Sequence, residues 1–268
     1  MQNQCTLRIA TYNIWSGRNN AEIQTRNYDW TAEVISEIGP DIIGLQEVGK
    51  GPCYGFPAAY DIEEEVPEYL GKKLGMYSYF APAITTNSYG YGNALLSKYP
   101  IKSANSIKIP DAGSNVESRC VLVAEIDVCN GITVLVTHFG LSPEEQRQGI
   151  ETVLSLIEES KKPAIFMGDL NITPDNEILK PLFERLTDTA NGSVQPYTWP
   201  SAFTRYTGVS EKKYDMDRRR KVDYIFTTQH FKTLKSDIHF SLASDHLPFV
   251  ADLEVQDEKQ KATGEQIC

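Results

Sequence analysis

Eight polar residues stand where the hydrophobic pattern would place the ends of strands. Asn13 closes the run IATYN, Glu47 closes IIGLQE and His138 closes VLVTH. Asp169 and Asn171 close IFMGDLN, Asp223 sits inside KVDYIF, and Asp245 with His246 opens the last strand, PFVADLEV. A charged group in such surroundings is costly unless it is paired or metal-bound. Each has an ordinary explanation when taken singly: a salt-bridged strand end for Glu47, an Asx-turn for GDLN, a satisfied core histidine for His138. Together they supply only oxygen and imidazole donors. Carboxylates with amide oxygens form a hard-oxygen set suited to Mg2+ or Mn2+ rather than to zinc. Mg2+ takes one or two carboxylates and leaves its other positions to water and phosphate oxygen, and Glu47 with Asp245, or with Asp169, meets that need. Alternation along extended backbone predicts that Asp169 and Asn171 share a face, with Leu170 on the other. By the same rule Asp245 and His246 point apart and serve different partners.

The elements that must carry these residues alternate between strand and helix. TLRIATYNI reads as a strand. WTAEVISEIGP reads as a helix, with Trp30, Val34 and Ile38 on one face and Gly39-Pro40 as its stop. DIIGLQEV follows as a short buried strand. RCVLVAEIDV and ITVLVTHF flank Asn130-Gly131 and predict a hairpin. In SPEEQRQGIETVLSLIEES, Ser142 is the predicted N-cap, Pro143 the first helical residue and Glu145 the partner in a capping box. PAIFMGDLN is a further buried strand, and a loose polar tail is expected from about residue 256. The stretch from about Gln195 to Lys221 has no clear periodicity, and long irregular segments of this kind are often functional. Hairpins mixed with covering helices predict an α/β sandwich, with largely antiparallel sheets inside and helices outside.

The chain has 268 residues, 41% hydrophobic, enough to bury a substantial core. No apolar run reaches the roughly 18 residues that a membrane span needs. Acidic residues outnumber basic ones, 36 to 26, and the net charge of -10 argues mildly against a long polynucleotide as substrate. One basic cluster, Arg218–Lys221 after Lys212 and Lys213, reads as a solvated loop that balances Asp215 and Asp217. Five cysteines with no C-x-x-C spacing read as free thiols in a reducing compartment. The first residues show no basic segment followed by an apolar one, so no secretory signal is expected, and the cytoplasm is the expected location.

In order and spacing, TYNI, LQEV, VTHFG, GDLNITP, KVDYIF and SDHLP resemble the endonuclease/exonuclease/phosphatase family, from about Thr6 to Val255. The resemblance implies a single catalytic domain folded as a four-layer α/β/β/α sandwich. It implies Glu47 as principal metal ligand, with Asn13 and Asp245 completing or supporting the metal shell. Asp169 and Asn171 would bind and orient the attacking water and a phosphate oxygen. His246 would contact the scissile phosphate and take part in proton transfer, positioned by Asp223. His138 would approach the phosphate from the other side, and Arg119 matches a basic position that several branches use to bind phosphate. Either Asp169 or His246 could be the general base.

Two departures set a direction within the family. The abasic-site endonuclease branch has Asp where this chain has Trp15, and Tyr where it has His138. The chain is most similar to the small bacterial metal-dependent hydrolases, which match lipid-anchor remodelling enzymes as well as nucleases. Tyr89, Tyr91, Asn93, Trp199 and Phe203 are candidates for a pocket wall, and the aromatics among them equally suit packing at the sandwich edge. The expected activity is Mg2+- or Mn2+-dependent hydrolysis of a phosphodiester or phosphomonoester in a small or lipid-derived molecule. A nuclease and a catalytically silent phosphate-binding module are the alternatives. There is no G-x-S-x-G and no G-x-x-x-x-G-K-[ST].

Overall fold

Strand β1 (Thr6–Asn13) has two apolar faces, and they belong to different cores. Leu7 and Ile9 join one buried cluster, while Ala10 and Tyr12 join another. A strand buried on both sides must be covered on both sides, which forces a layered architecture. The computed structural model describes residues 5–20, 26–50, 65–85, 90–113, 116–190, 197–200 and 219–256. After β1 come α1 (Tyr28–Ile38), β2 (Ile42–Lys50), α2 (Val66–Leu74), β3 (Tyr77–Thr85), β4 (Gly90–Ser97) and β5 (Ile101–Lys108). Then follow β6 (Cys120–Ile126), β7 (Ile132–His138), α3 (Pro143–Ser160), β8 (Ala164–Asp169) and α4 (Lys180–Arg185). The last four strands are β9 (Thr187–Asp188), β10 (Asp223–Thr227), β11 (Phe231–Ile238) and β12 (Phe249–Val255).

The strands form two six-stranded sheets, ordered β11-β12-β1-β2-β4-β3 and β5-β6-β7-β8-β10-β9. Each sheet is antiparallel apart from one parallel pair, β1 with β2 and β7 with β8. The sheets meet face to face through Leu7, Ile9, Val134, Val136, Ile165, Met167, Ile225 and Phe249. Helices α1 and α2 cover the outer face of the first sheet, through residues such as Val34, Ile35 and Leu70. Helices α3 and α4 cover the second, through Ile150, Val153 and Leu182. This is the α/β sandwich expected from the pattern, in the four-layer α/β/β/α form that the resemblance implies. Burying each such Leu, Ile or Phe stabilises the fold by about 1.5–3 kcal/mol.

Local signals account for the helix ends. Asn27 caps α1 by accepting from the Trp30 amide, and Gly39 at φ 62° closes it. Ser142 and Glu145 form the full capping box of α3. The β6–β7 hairpin forms, but its strands stop at Ile126 and resume at Ile132. The loop is therefore longer than an Asn-Gly turn alone, and Cys129, Asn130 and Gly131 all have positive φ.

Two sequence expectations are corrected. Cys5 and Cys129 are not free thiols: they form a disulfide across 124 residues of sequence, with a Cα–Cα separation of 6.0 Å. The bond joins the start of β1 to the β6–β7 turn, so it ties the two sheets together. Cys120 is free and buried, while Cys53 and Cys268 lie outside the described residues. The compartment argument that rested on free thiols falls with that reading. The basic cluster is not uniformly solvated either. Arg219 and Arg220 are exposed, but Lys221 is buried, paired with Asp188, and has its ammonium 4.2 Å from the Tyr224 ring centroid. Lys212, Lys213, Asp215, Asp217 and Arg218 lie outside the described residues.

Candidate active site

The polar residues are continuations of the inter-sheet core. Along β7 the series Val134, Val136, His138 faces the other sheet; along β8 the series is Ile165, Met167, Asp169; along β10 it is Ile225, Asp223. The register aligns their ends, since His138 pairs with Asp169 across the parallel ladder and Asp169 with Asp223 across the antiparallel one. From the facing sheet, Ile9, Thr11 and Asn13 make the matching series on β1. Asn13 Nδ2 donates to Asp169 Oδ2 at 3.1 Å and to Glu47 Oε1 at 3.0 Å, which joins the two sheets at this edge. The disulfide sits at the opposite ends of β1 and β7.

Glu47 reaches that edge by an irregularity. The β2–β4 register shifts between Leu45 and Val48, and both of those residues face the outer core although they are three apart. The bulge resets the alternation and leaves Glu47 at φ 55°, a conformation that costs an L-residue roughly 1–2 kcal/mol. Its carboxylate is half-buried, as is that of Asp245, whereas Asp169, Asp223, His138 and His246 are buried.

His246 Nδ1 donates to Asp223 Oδ2 at 2.9 Å, and its Nε2 lies 3.6 Å from Asp169 Oδ2. Burial alone would lower the pKa of His246. The charges of Asp223 and Asp169, with the Asp223 hydrogen bond, outweigh it and hold the imidazole well above its usual range, as an imidazolium. His138 behaves oppositely. Burial, reinforced by the charges of Arg119 and His246, pushes it well below its usual value, so it is neutral. Asn171 Nδ2 donates to the Phe139 carbonyl at 3.0 Å and sits 3.1 Å from His138 Nε2, which therefore accepts. The proton is left on His138 Nδ1, which is buried without a hydrogen-bond partner among the described residues. Burial, then the charge of Asp223, raises Asp169 to about 7. Burial, then the charge of Asp245, raises Glu47.

Each predicted site residue can be placed. Asp169, Asn171, His138, Asp223, His246, Asn13 and Glu47 form one hydrogen-bonded or closely facing cluster. Asp245 joins it through its charge on Glu47, and Trp199 Nε1 donates to Asp245 Oδ2 at 3.3 Å. Arg119 pairs with Glu117 at 3.2 Å and lies near enough for its charge to act on Glu47 and His138. Asn93 is drawn between the sheets, donating to the Cys120 carbonyl at 3.0 Å, and its Oδ1 has no hydrogen-bond partner among the described residues. Tyr91 is buried on β4; Tyr89 and Phe203 lie outside the described residues.

Two geometric expectations fail while their outcome survives. Asp169 and Asn171 do converge, but not through extended alternation: β8 ends at Asp169, and Asn171 turns back at φ 53° with its amide donating to Asp169 Oδ1 at 2.9 Å. Asp245 and His246 do take different partners, but from a bend that precedes β12 rather than from the strand itself. Three hydroxyls were not anticipated. Thr198 Oγ1 accepts from the amides of Val222 and Asp223, each at 3.1 Å. Ser244 Oγ donates to the Asn13 carbonyl at 2.7 Å and accepts from the His246 amide. Ser16 Oγ donates to the Glu47 carbonyl at 3.0 Å. Only Ser244, within SDHLP, had any sequence signal.

The donor set fits a hard divalent cation at two places. Glu47 and Asp245 are both half-buried, and the charge of Asp245 acts on Glu47, so a cation held by the two would relieve their repulsion. Asp169, Asp223 and His246 each offer a ligand atom, all within 4.8 Å of one another, and could also hold a metal.

Residues 10–246 match the model of the endonuclease/exonuclease/phosphatase family. The chain belongs to that family. Its members hydrolyse phosphoesters. A family structure from Bacteroides vulgatus is 20% identical and superposes with a TM-score of 0.72 over 94% of this chain and 100% of its own. The mannosyl-6-phosphatase Bt3783 of Bacteroides thetaiotaomicron is 15% identical, with a TM-score of 0.68 over 92% and 99%. TDP2 of D. rerio, complexed with single strand DNA product, is 16% identical, with a TM-score of 0.67 over 92% and 98%. At these identities the likeness concerns the fold. No helix among the described residues is long and apolar enough to cross a membrane.

Proposed function

We propose that the chain is a divalent-metal-dependent phosphoester hydrolase, acting as one catalytic domain, with Glu47 and Asp245 holding Mg2+ or Mn2+ and Asn13 fixing Glu47. The observation that carries this reading is the joining of Glu47, Asn13, Asp169, Asp223, His138 and His246 into one cluster at the edge of the sandwich. Bound beside Glu47 and Asp245, the cation would neutralise charge that builds on the phosphoryl oxygens.

The side chains divide the proton chemistry. An imidazolium cannot accept a proton, so the raised His246 is the donor, giving a charge-assisted hydrogen bond to the phosphoryl group and its proton to the leaving oxygen. Asp223 fixes its orientation and favours its charged form. Asp169 is left as the general base, and a pKa of about 7 suits a carboxylate that must take a proton from water near neutrality. Asn171 would position that water through its Oδ1, its Nδ2 being taken up by the Phe139 carbonyl and His138, and neutral His138 and Arg119 approach the phosphate from the other side.

For the substrate, the acidic balance of the chain supports a small or lipid-derived phosphate ester, and the likeness to a mannosyl-6-phosphatase is in keeping with it. Trp199 would line the approach, whereas buried Asn93 is turned in between the sheets. A nuclease is the second reading, favoured by exposed Arg219 and Arg220 beside Trp199 and by the likeness to a DNA-bound TDP2. The Cys5–Cys129 disulfide favours an oxidising compartment over the cytoplasm expected from sequence. A panel of mono- and bis-nitrophenyl phosphates, single- and double-stranded nucleic acids and phospholipid headgroup esters, with Mg2+ or Mn2+, tests the reading. Turnover of the small esters or headgroup esters supports it. Turnover of polynucleotide alone selects the nuclease, and turnover of nothing leaves a phosphate-binding module.

A further inference from the structure

Backbone strain at this site extends beyond Glu47. Trp15, Ser16 and Gly17 have φ of 48°, 53° and 75°, three left-handed residues in succession, two of them with side chains that disfavour it. The run bends the chain after Asn13 back over β2. It brings buried Ser16 Oγ to the carbonyl of Glu47, the strained residue of the bulge, at 3.0 Å. The bend is itself held in place. The Tyr28 hydroxyl, buried at the start of α1, donates to the Ser16 carbonyl at 2.9 Å. A Cβ on Gly17 would stand 2.6 Å from the Tyr28 ring, so glycine is required there by contact as well as by φ. The Trp15 amide donates to Asn13 Oδ1 at 3.0 Å, which turns Asn13 Nδ2 toward Glu47 Oε1. Backbone and carboxylate of Glu47 are thus gripped from the same short segment.

We propose that Ser16, braced by Tyr28, is a positioning residue that holds Glu47 in the conformation required to bind the divalent cation. This rests on Glu47 being a metal ligand. Strain that a fold retains at one carboxylate, with a hydroxyl spent on its carbonyl, is accounted for if the carboxylate must stand where regular β backbone would not put it.

The test is Mn2+ affinity of the metal-stripped protein, measured by electron paramagnetic resonance and calorimetry, alongside thermal melts. The variants are Ser16→Ala, Ser16→Gly, Tyr28→Phe, the double Ser16→Ala/Tyr28→Phe, and Glu47→Gln. Loss of a group that orients a ligand weakens metal binding by roughly 10- to 100-fold, and Ser16→Ala should show this. Tyr28→Phe should weaken binding by less, and the double variant should bind about as Ser16→Ala does, because the two act in series. Ser16→Gly removes the hydroxyl but adopts the left-handed backbone without a Cβ penalty. It should keep or raise the melting temperature of Ser16→Ala and still bind Mn2+ weakly, a combination that a purely structural role would not give. If both Ser16 variants bind Mn2+ within about twofold of wild type while Glu47→Gln binds weakly, Ser16 has no positioning role and the metal site stands. If Glu47→Gln itself binds Mn2+ normally, the metal-ligand reading on which the proposal rests is overturned.

Discussion

Replacing Asp223 by Asn should damage proton transfer and spare the metal site, while replacing Asp245 by Asn should do the reverse. The Asp223–His246 contact is 2.9 Å long, with both groups buried, and it is the largest single hydrogen-bonding support of the imidazolium. A hydrogen bond to a charged group is worth about 1.5–3 kcal/mol. At about 1.36 kcal/mol per decade, losing that bond lowers the His246 pKa and corresponds to a roughly 10- to 150-fold loss of kcat. Asp223→Asn should therefore lower kcat by that factor and move the alkaline limb of its pH profile downward, toward the ordinary imidazole value near 6.5. Mn2+ affinity should change by less than about threefold, against the roughly 10-fold or greater loss expected for Asp245→Asn. Stability offers a second readout. Because the folded pKa of His246 is raised, its contribution is fully present below about pH 6.5 and is lost as pH rises through the folded value. The melting-temperature gap between wild type and Asp223→Asn should be widest in acid and narrow in alkali. Steady-state kinetics from pH 5 to 10 and Mn2+ titrations suffice. A loss of Mn2+ affinity in Asp223→Asn equal to that in Asp245→Asn would refute the division, and would place the cation among Asp169, Asp223 and His246 instead.

Mn2+ affinity should strengthen as pH rises above the ordinary carboxylate range, by at most about one decade per unit, because burial and the Asp245 charge raise the pKa of Glu47 and the cation must displace its proton; calorimetry in buffers of different ionisation enthalpy checks this, and a flat profile would contradict Glu47 as ligand. Reducing the Cys5–Cys129 bond, which closes a loop of 124 residues, should cost about 2–5 kcal/mol and lower the melting temperature by roughly 5–15 °C without altering Mn2+ affinity, since it lies at the end of the sandwich away from the site. An unchanged melt on reduction would remove the disulfide as a staple between the sheets.

The fold was legible where side-chain pattern alone decides structure. Alternation in IATYN, VLVTH and IFMGD marks strands whose inner faces run from apolar to polar, so Asn13, His138 and Asp169 could be picked out as the point where the core gives way to chemistry. The capping box at Ser142 was legible for the same reason, since it needs only residues three apart. What depended on tertiary structure was not. The β2 bulge is invisible in LQEV, because register is set by β4 and not by β2 itself. Asn171 was expected to act through extended backbone and acts through a left-handed turn, because its amide is captured by the Asp169 carboxylate. Ser16 and Thr198 bond to backbone groups brought in from distant elements, and nothing in their neighbours marks them. The pairing of Cys5 with Cys129 is likewise a consequence of sheet packing, since their separation carries no motif.

The most direct measurement is hydrolysis of bis-p-nitrophenyl phosphate by wild type and Glu47→Gln, each with Mn2+ and with EDTA. The proposed chemistry predicts Mn2+-dependent turnover by wild type, its loss in EDTA and recovery on adding Mn2+ back, and a fall of at least about 100-fold for Glu47→Gln. Undiminished hydrolysis in EDTA, or full activity of folded Glu47→Gln, would contradict it.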